Sequence, residues 1–298
     1  MKVFSKILFL SVCFLLASQC IVADDSTSVQ SDEKMVEYVV ANAPVVPVRE
    51  NPSERAEQST QLLFGEVCEV IERLNSWVKI RSTVDGQEGW VSFKMVTLGD
   101  ESMRLEGDES VVVSPMAVAT PVDGGAELRL TLGTRLPNYS NGTFEVLGQQ
   151  YLINPAGVRG ERREARGEEI CAIAQTLLNA PYLWGGKNMM GLDCSGFTQV
   201  VYAAMGINLL RNAREQVTQG ELVSSLAEAQ PGDLAFFDHA DRDPKATNIS
   251  HVGLLLSPTK IIHCSGCVHI DTIDEEGIRL PDGTLTHHLA KIKRIINH

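Results

Sequence analysis

The residues that carry chemistry in this sequence are one cysteine and two histidines in its C-terminal half. Cys194 lies in GLDCSGFTQVVY, after a glycine-rich stretch. Behind it Phe197, Val200, Val201 and Ala204 repeat at helical spacing, closing at Gly206. Cys194 is therefore expected at or near a helix N-terminus, where the partial positive charge favours thiolate over thiol. A thiolate attacks a carbonyl carbon when a base stands beside it. His251 opens SHVGLLL and His263 lies in KIIHCSG. The SPTK between these apolar runs is short and turn-like, so they read as paired strands with the two histidines as lateral neighbours. His251 is assigned as general base and His263 as the residue that orients it. A lone histidine in a strand is ordinarily structural; two on adjacent strands, with a helix-capping cysteine upstream, are harder to set aside. A zinc site from His251, His263, Cys264 and Cys267 lacks the second paired motif that structural zinc sites carry. For Cys264 and Cys267 a disulfide and two inert thiols stay open, the thiols preferred.

The elements that must position these groups follow from patterning. Ile170, Ile173, Ala174, Leu177 and Leu178 predict a helix with Glu168 and Glu169 at its N-terminus and Pro181 ending it. After the helix behind Cys194, the runs DLAFFD, SHVGLLL, KIIHCSG and AKIKRII are strand-like. Helices followed by an antiparallel sheet make an α+β domain over residues 166–298. Upstream, residues 37–100 hold four or five short strands, among them 67–71 and 77–80 around a turn-like ERLNS, and predict a small barrel. Residues 105–160 repeat the pattern as a second barrel. The charged residues 156–167 read as the linker into the last domain.

The first residues concern the compartment. Lys2 and Lys6 precede an apolar run over 7–18, about the length of a secretory h-region and too short to span a membrane comfortably; small residues follow up to Ala23. Residues 1–23 are expected to be an export signal and 24–36 a flexible lead-in, so the mature protein is exported, to the periplasm or outside the cell. A lipid anchor on Cys20 is the minor alternative, because Gln19 stands where a small residue is expected. Of seven cysteines, five then remain, an odd number that leaves one thiol free or paired between molecules. Catalysis explains such a thiol, while Cys68 and Cys171 sit in apolar runs as buried bystanders. The 44% hydrophobic content supports sizeable cores. The net charge of −12 excludes a basic footprint for nucleic acid.

Together PYLWGG, GLDCSGF, PGDLAFF and SHVGLLL resemble the NlpC-type cell-wall cysteine peptidases over residues 168–298. LLFGE, WVKI and GWVSFKMV are similar to bacterial SH3-like domains. The combination resembles the three-domain γ-D-glutamyl-diamino-acid endopeptidases of the YkfC type, which trim peptidoglycan stem peptides. The resemblance implies a papain-like fold, a Cys194-His251-His263 triad, and stem peptides or murein fragments as substrates. It implies that Tyr182 lies at the oxyanion position and that Trp184 lines the pocket. Asp193, Ser195, Arg211 and Asn212 are matched to substrate contacts, and Glu66 to a carboxylate meeting the substrate's free amino terminus. Two residues depart from the pattern: Asn212 replaces an aspartate and Gln87 a tyrosine, which puts strict selection for a free N-terminal L-Ala in doubt. The implied chemistry needs no metal or organic cofactor. A catalytically silent wall-binding module and an amidase or acyltransferase on the same fold are the competing readings.

Overall fold

The computed structural model describes residues 36–105, 109–160, 165–239 and 248–296. The expected export signal with Cys20, most of the lead-in and part of the linker lie outside the described residues.

Seven strands between Tyr38 and Gly99 form one antiparallel sheet around Val39, Val46, Val48, Leu62, Val78, Ile80 and Val91. Cys68 is buried here, with burial pushing its thiol well up. The turn expected over ERLNS is shorter than predicted. The strand Val67–Leu74 runs on and pairs with Trp77–Ser82, leaving only Asn75 and Ser76 to turn, Asn75 at φ 53. Glu72 and Arg73 are compatible with a strand because this end faces water and pairs Glu72 with Lys79.

Residues 110–159 form a four-stranded and a three-stranded antiparallel sheet. Their core, including Val112, Leu130, Leu136, Phe144 and Ile153, is continuous with Tyr38, Val40, Phe64 and Val67 from the first sheet. The two small β units thus share apolar interior, and neither buries its hydrophobic face alone.

The remainder carries the helices α1 (Gly167–Gln175), α2 (Cys194–Ala203) and α3 (Ala213–Gln216). Glu168 and Glu169 occupy the first turn of α1 as expected. The helix stops at Gln175, however, not at Pro181. Thr176, Leu177 and Leu178 donate to carbonyls three residues back, tightening the last turn, and Asn179 adopts φ 68. The sheet is antiparallel, in the order Glu221–Val223, Leu285–Arg294, Leu234–His239, His251–Ser257, Lys260–Ser265, Cys267–Asp274, Gly277–Arg279. The last strand also pairs with Leu285–Arg294, so six strands close into a barrel. The strands Glu221–Val223, Cys267–Asp274 and Gly277–Arg279 were not anticipated from sequence. Alternation sorts the side chains. Phe237, Leu255, Ile261, Ile273 and Ile278 fill the barrel. Phe236, Val252, Leu254, Ile262 and Val268 pack outward on Ile170, Phe197, Val200 and Val201 of the helices.

Candidate active site

The N-terminus of α2 is built around a buried ion pair. Asp193 caps the helix, its Oδ1 accepting the Gly196 N–H at 2.6 Å. Its Oδ2 accepts the Gly185 N–H at 2.9 Å. Arg211, 1% exposed, clamps the same carboxylate through Nη1 at 3.0 Å and Nη2 at 2.6 Å. Arg211 also donates to Ser195 Oγ at 3.0 Å and to Thr60 Oγ1, on the first β unit, at 2.7 Å. Ser195 and Arg211, expected as substrate contacts, are buried and hydrogen-bonded to Asp193, whose side chain caps the helix, a role it suits besides the expected substrate contact. They fix where the helix starts. Gly196 is required by close approach, since a Cβ there would lie 2.1 Å from the Gly186 carbonyl oxygen.

Cys194 is the first residue of α2 and half-buried. The backbone N–H groups of Val252, next to His251, and of Ser195 lie toward its sulfur and favour thiolate. Burial, and then the Asp193 charge, push the thiol up to about 11; the two N–H groups and Arg211 pull the other way. The expected net stabilisation of thiolate by the helix terminus is thus outweighed by desolvation.

His251 and His263 do meet, His251 Nε2 lying 2.9 Å from His263 Nδ1. They are diagonal neighbours, not the lateral pair the hairpin predicted: the register sets Gly253 opposite His263. Gly253 makes the diagonal reach possible, because a Cβ there would come within 2.8 Å of the His263 Cβ. Both imidazoles are buried. Desolvation lowers the His263 pKa, opposed by its hydrogen bond to Asp271, whose own pKa that bond lowers.

Three residues that sequence reasoning missed complete this cluster. Asp271 Oδ2 lies 3.2 Å from His263 Nε2 and 3.1 Å from His269 Nε2. The His287 ring stacks on His251, centroids 4.4 Å apart. His269 and Asp271 share a strand face with Ile273, which fills the barrel. The alternation in CVHIDTID is the signal that could have found them. Cys264 Sγ donates to the Leu192 carbonyl, away from the histidines, and all five described cysteines are free.

Tyr182 is partly exposed near Cys194; burial first and the Cys194 charge second push its phenol up. Trp184 is 60% exposed, and Leu183 and Met190 are exposed as well. Glu66 lies in the interior between the first β unit and α2. It is 3.4 Å from Lys187 Nζ and lines a cavity of about 20 Å³ with Gln199 and Arg135. Burial raises its pKa despite Lys187. The two departing residues converge on Glu215, which sequence reasoning did not single out. Gln87 Nε2 donates to its carboxylate at 3.2 Å and Asn212 Nδ2 at 2.9 Å.

The NlpC/P60 family model matches residues 179–286, and a bacterial SH3 domain model matches residues 44–97. A gamma-D-glutamyl-L-lysine dipeptidyl-peptidase of Bacillus subtilis (strain 168) is 30% identical over 217 residues, 68% of this chain and 71% of that protein. The chain belongs to the NlpC/P60 family. Dipeptidyl-peptidase 6 of Lysinibacillus sphaericus is 25% identical over 270 residues, 79% of this chain and 93% of the relative. The crystal structure of an NlpC/P60 family protein from Bacillus cereus ATCC 10987 superposes with a TM-score of 0.73 at 20% identity. It covers 87% of this chain and 100% of that one, and shares its fold. As a member of the NlpC/P60 peptidase family the chain is an enzyme, a peptidase. The family implies peptidoglycan as the substrate class. Among the described residues no helix is long and apolar enough to cross a membrane.

Proposed function

We propose that this NlpC/P60 peptidase hydrolyses the amide between the γ-carboxyl of D-Glu and the diamino acid of peptidoglycan stem peptides, L-Lys or meso-diaminopimelate, releasing L-Ala-γ-D-Glu. The observation that carries this reading is the hydrogen-bonded pair His251–His263 on adjacent strands, with Val252, next to His251, near the Cys194 sulfur. His251 takes the thiol proton, and the sulfur attacks the γ-carbonyl to give a thioester. His251 returns the proton to the leaving amine and then activates water for hydrolysis. Tyr182, beside the sulfur, is the donor for the developing oxyanion. Exposed Trp184, Leu183 and Met190 form an apolar wall for the stem peptide. Glu215 supplies a carboxylate where Asn212 lacks one, and in this reading it faces the substrate's free ammonium. The name of the Bacillus subtilis relative supports the bond chosen. The domain division read from sequence, a papain-like catalytic domain behind two SH3-like units and an export signal over 1–23, is part of the same proposal.

Mass spectrometry of products from defined tri- and tetrapeptides tests it. Wild type should release L-Ala-γ-D-Glu from free-amino peptides faster than from N-acetylated ones, and Cys194→Ala should release none. Turnover by Cys194→Ala would overturn the thiol mechanism. Absence of turnover by wild type would favour a binding module. A new amide formed with an added amine would mark a transferase.

A further inference from the structure

We propose that Asp271 is a positioning residue for the catalytic chain, setting the tautomer of His263 so that its Nδ1 accepts a hydrogen bond from His251. The proposal rests on the Cys194-His251-His263 reading above.

His251 Nε2 is committed to His263 Nδ1 at 2.9 Å. The proton leaving Cys194 therefore goes to Nδ1 of His251: the S–H bond breaks and an N–H bond forms. The resulting imidazolium carries a proton on Nε2 as well, and that N–H needs an acceptor. A neutral imidazole has one N–H and one lone pair. His263 can accept at Nδ1 only if its own proton sits on Nε2. Asp271 Oδ2, 3.2 Å from that nitrogen, is a pure acceptor when ionised and holds the proton there. A proton on Nδ1 of His263 would set two N–H groups against each other across 2.9 Å and block proton uptake by His251.

A second imidazole stands beside the carboxylate: His269 Nε2 lies 3.1 Å from the same oxygen and His269 Nδ1 2.8 Å from the Cys267 carbonyl, and whichever nitrogen carries the proton donates to its acceptor. Asp271 reaches His263 from the next strand, where the register sets His269 opposite His263 and Asp271 opposite Ile261. The negative charge, relayed through His263, also favours the cation on His251. Among the described residues, the other titratable or charged groups around this chain include His287, stacked on His251, and Tyr182, Asp193, Arg211 and Cys264 around the sulfur.

Asp271→Asn keeps the shape, removes the charge and can present a donor. Expected is a fall in kcat on the order of 100-fold with KM within about 2-fold. The acid limb of the kcat/KM profile should move up and the basic limb down, because the ion pair is weakened from both sides. Alkylation of Cys194 by iodoacetamide should slow at neutral pH and match wild type in strong base. In a His263→Asn background the same substitution should cost less than about 2-fold, since Asp271 acts through His263. Nitrogen-15 NMR of histidine-labelled wild type needs no variant, and should show His263 protonated on Nε2. Protonation on Nδ1, an unmoved pH profile in folded Asp271→Asn, or an undiminished loss in the His263→Asn background would overturn the proposal. Wild-type behaviour of Asp271→Asn while Cys194 and His251 remain essential sinks only the role of Asp271. Activity without Cys194 sinks the underlying reading.

Discussion

At the scale of single residues, the Cys194 thiol is held up to about 11 by burial and by Asp193, against the pull of the helix terminus. A nucleophile with that pKa is nearly all protonated at neutral pH unless its proton has somewhere to go. In our reading it goes to His251. His251→Ala should therefore turn a neutral-pH reactive thiol into one whose iodoacetamide rate climbs with pH toward a midpoint near 11. The measurement is the alkylation rate of Cys194 from pH 6 upward, with Cys68, Cys171 and Cys264 as buried internal controls. A midpoint unchanged from wild type would mean that the histidine does not set the thiol's reactivity.

At the scale of the element, α2 starts where it does because Asp193 and Arg211 fix it. The pair is almost fully removed from water, and every Arg211 contact goes to Asp193, Ser195 or Thr60. Removing one partner leaves a buried charge alone, at a cost of about 3–5 kcal/mol. Arg211→Ala should lower the unfolding free energy by about that much and abolish turnover in the fraction that folds, by urea titration and peptide hydrolysis respectively. Arg211→Lys should recover only part, since an ammonium cannot span both carboxylate oxygens. The same elements explain what the chain order hides. Cys194 belongs to a helix, His251 and His263 to two strands of a hairpin, and Asp271 to a third strand. Gly253 opens the diagonal between the two histidines.

At the scale of the molecule, the first β unit braces the loop that carries the nucleophile. Gln61 Oε1 accepts from the Lys187 N–H at 2.8 Å and from Asn188 Nδ2 at 2.9 Å. Gln58 Nε2 donates to the Trp184 carbonyl at 3.1 Å, and Asp85 accepts from Gln199 of α2 at 2.9 Å. In the proposed mechanism the upstream β unit is thus part of the catalytic scaffold. Gln61→Ala strands a buried N–H, costing about 1–3 kcal/mol. It should speed hydrogen exchange across residues 185–193 and raise KM more than it lowers kcat. Exchange confined to the mutated strand would show that the loop stands without this brace.

The proposed chemistry was read from the order of short segments, because each candidate residue sits beside a strong local pattern. Cys194 precedes a helical repeat, and His251 and His263 lie in apolar strands. The α+β character of the last domain and the small β units before it were legible for the same reason. What sequence could not supply is whatever depends on register and closure. Glu66 was matched to a substrate-facing carboxylate and lies in an interior, because burial is decided by which unit packs over it. Arg211 and Ser195 looked free to meet substrate and are consumed by Asp193, a partner that only folding brings to them. Asp271 belongs to a strand whose importance appears once the sheet curls into a barrel and brings one face of Cys267–Asp274 against His263. Local patterning specifies elements; which side chains share a space is set by packing between residues far apart in the chain.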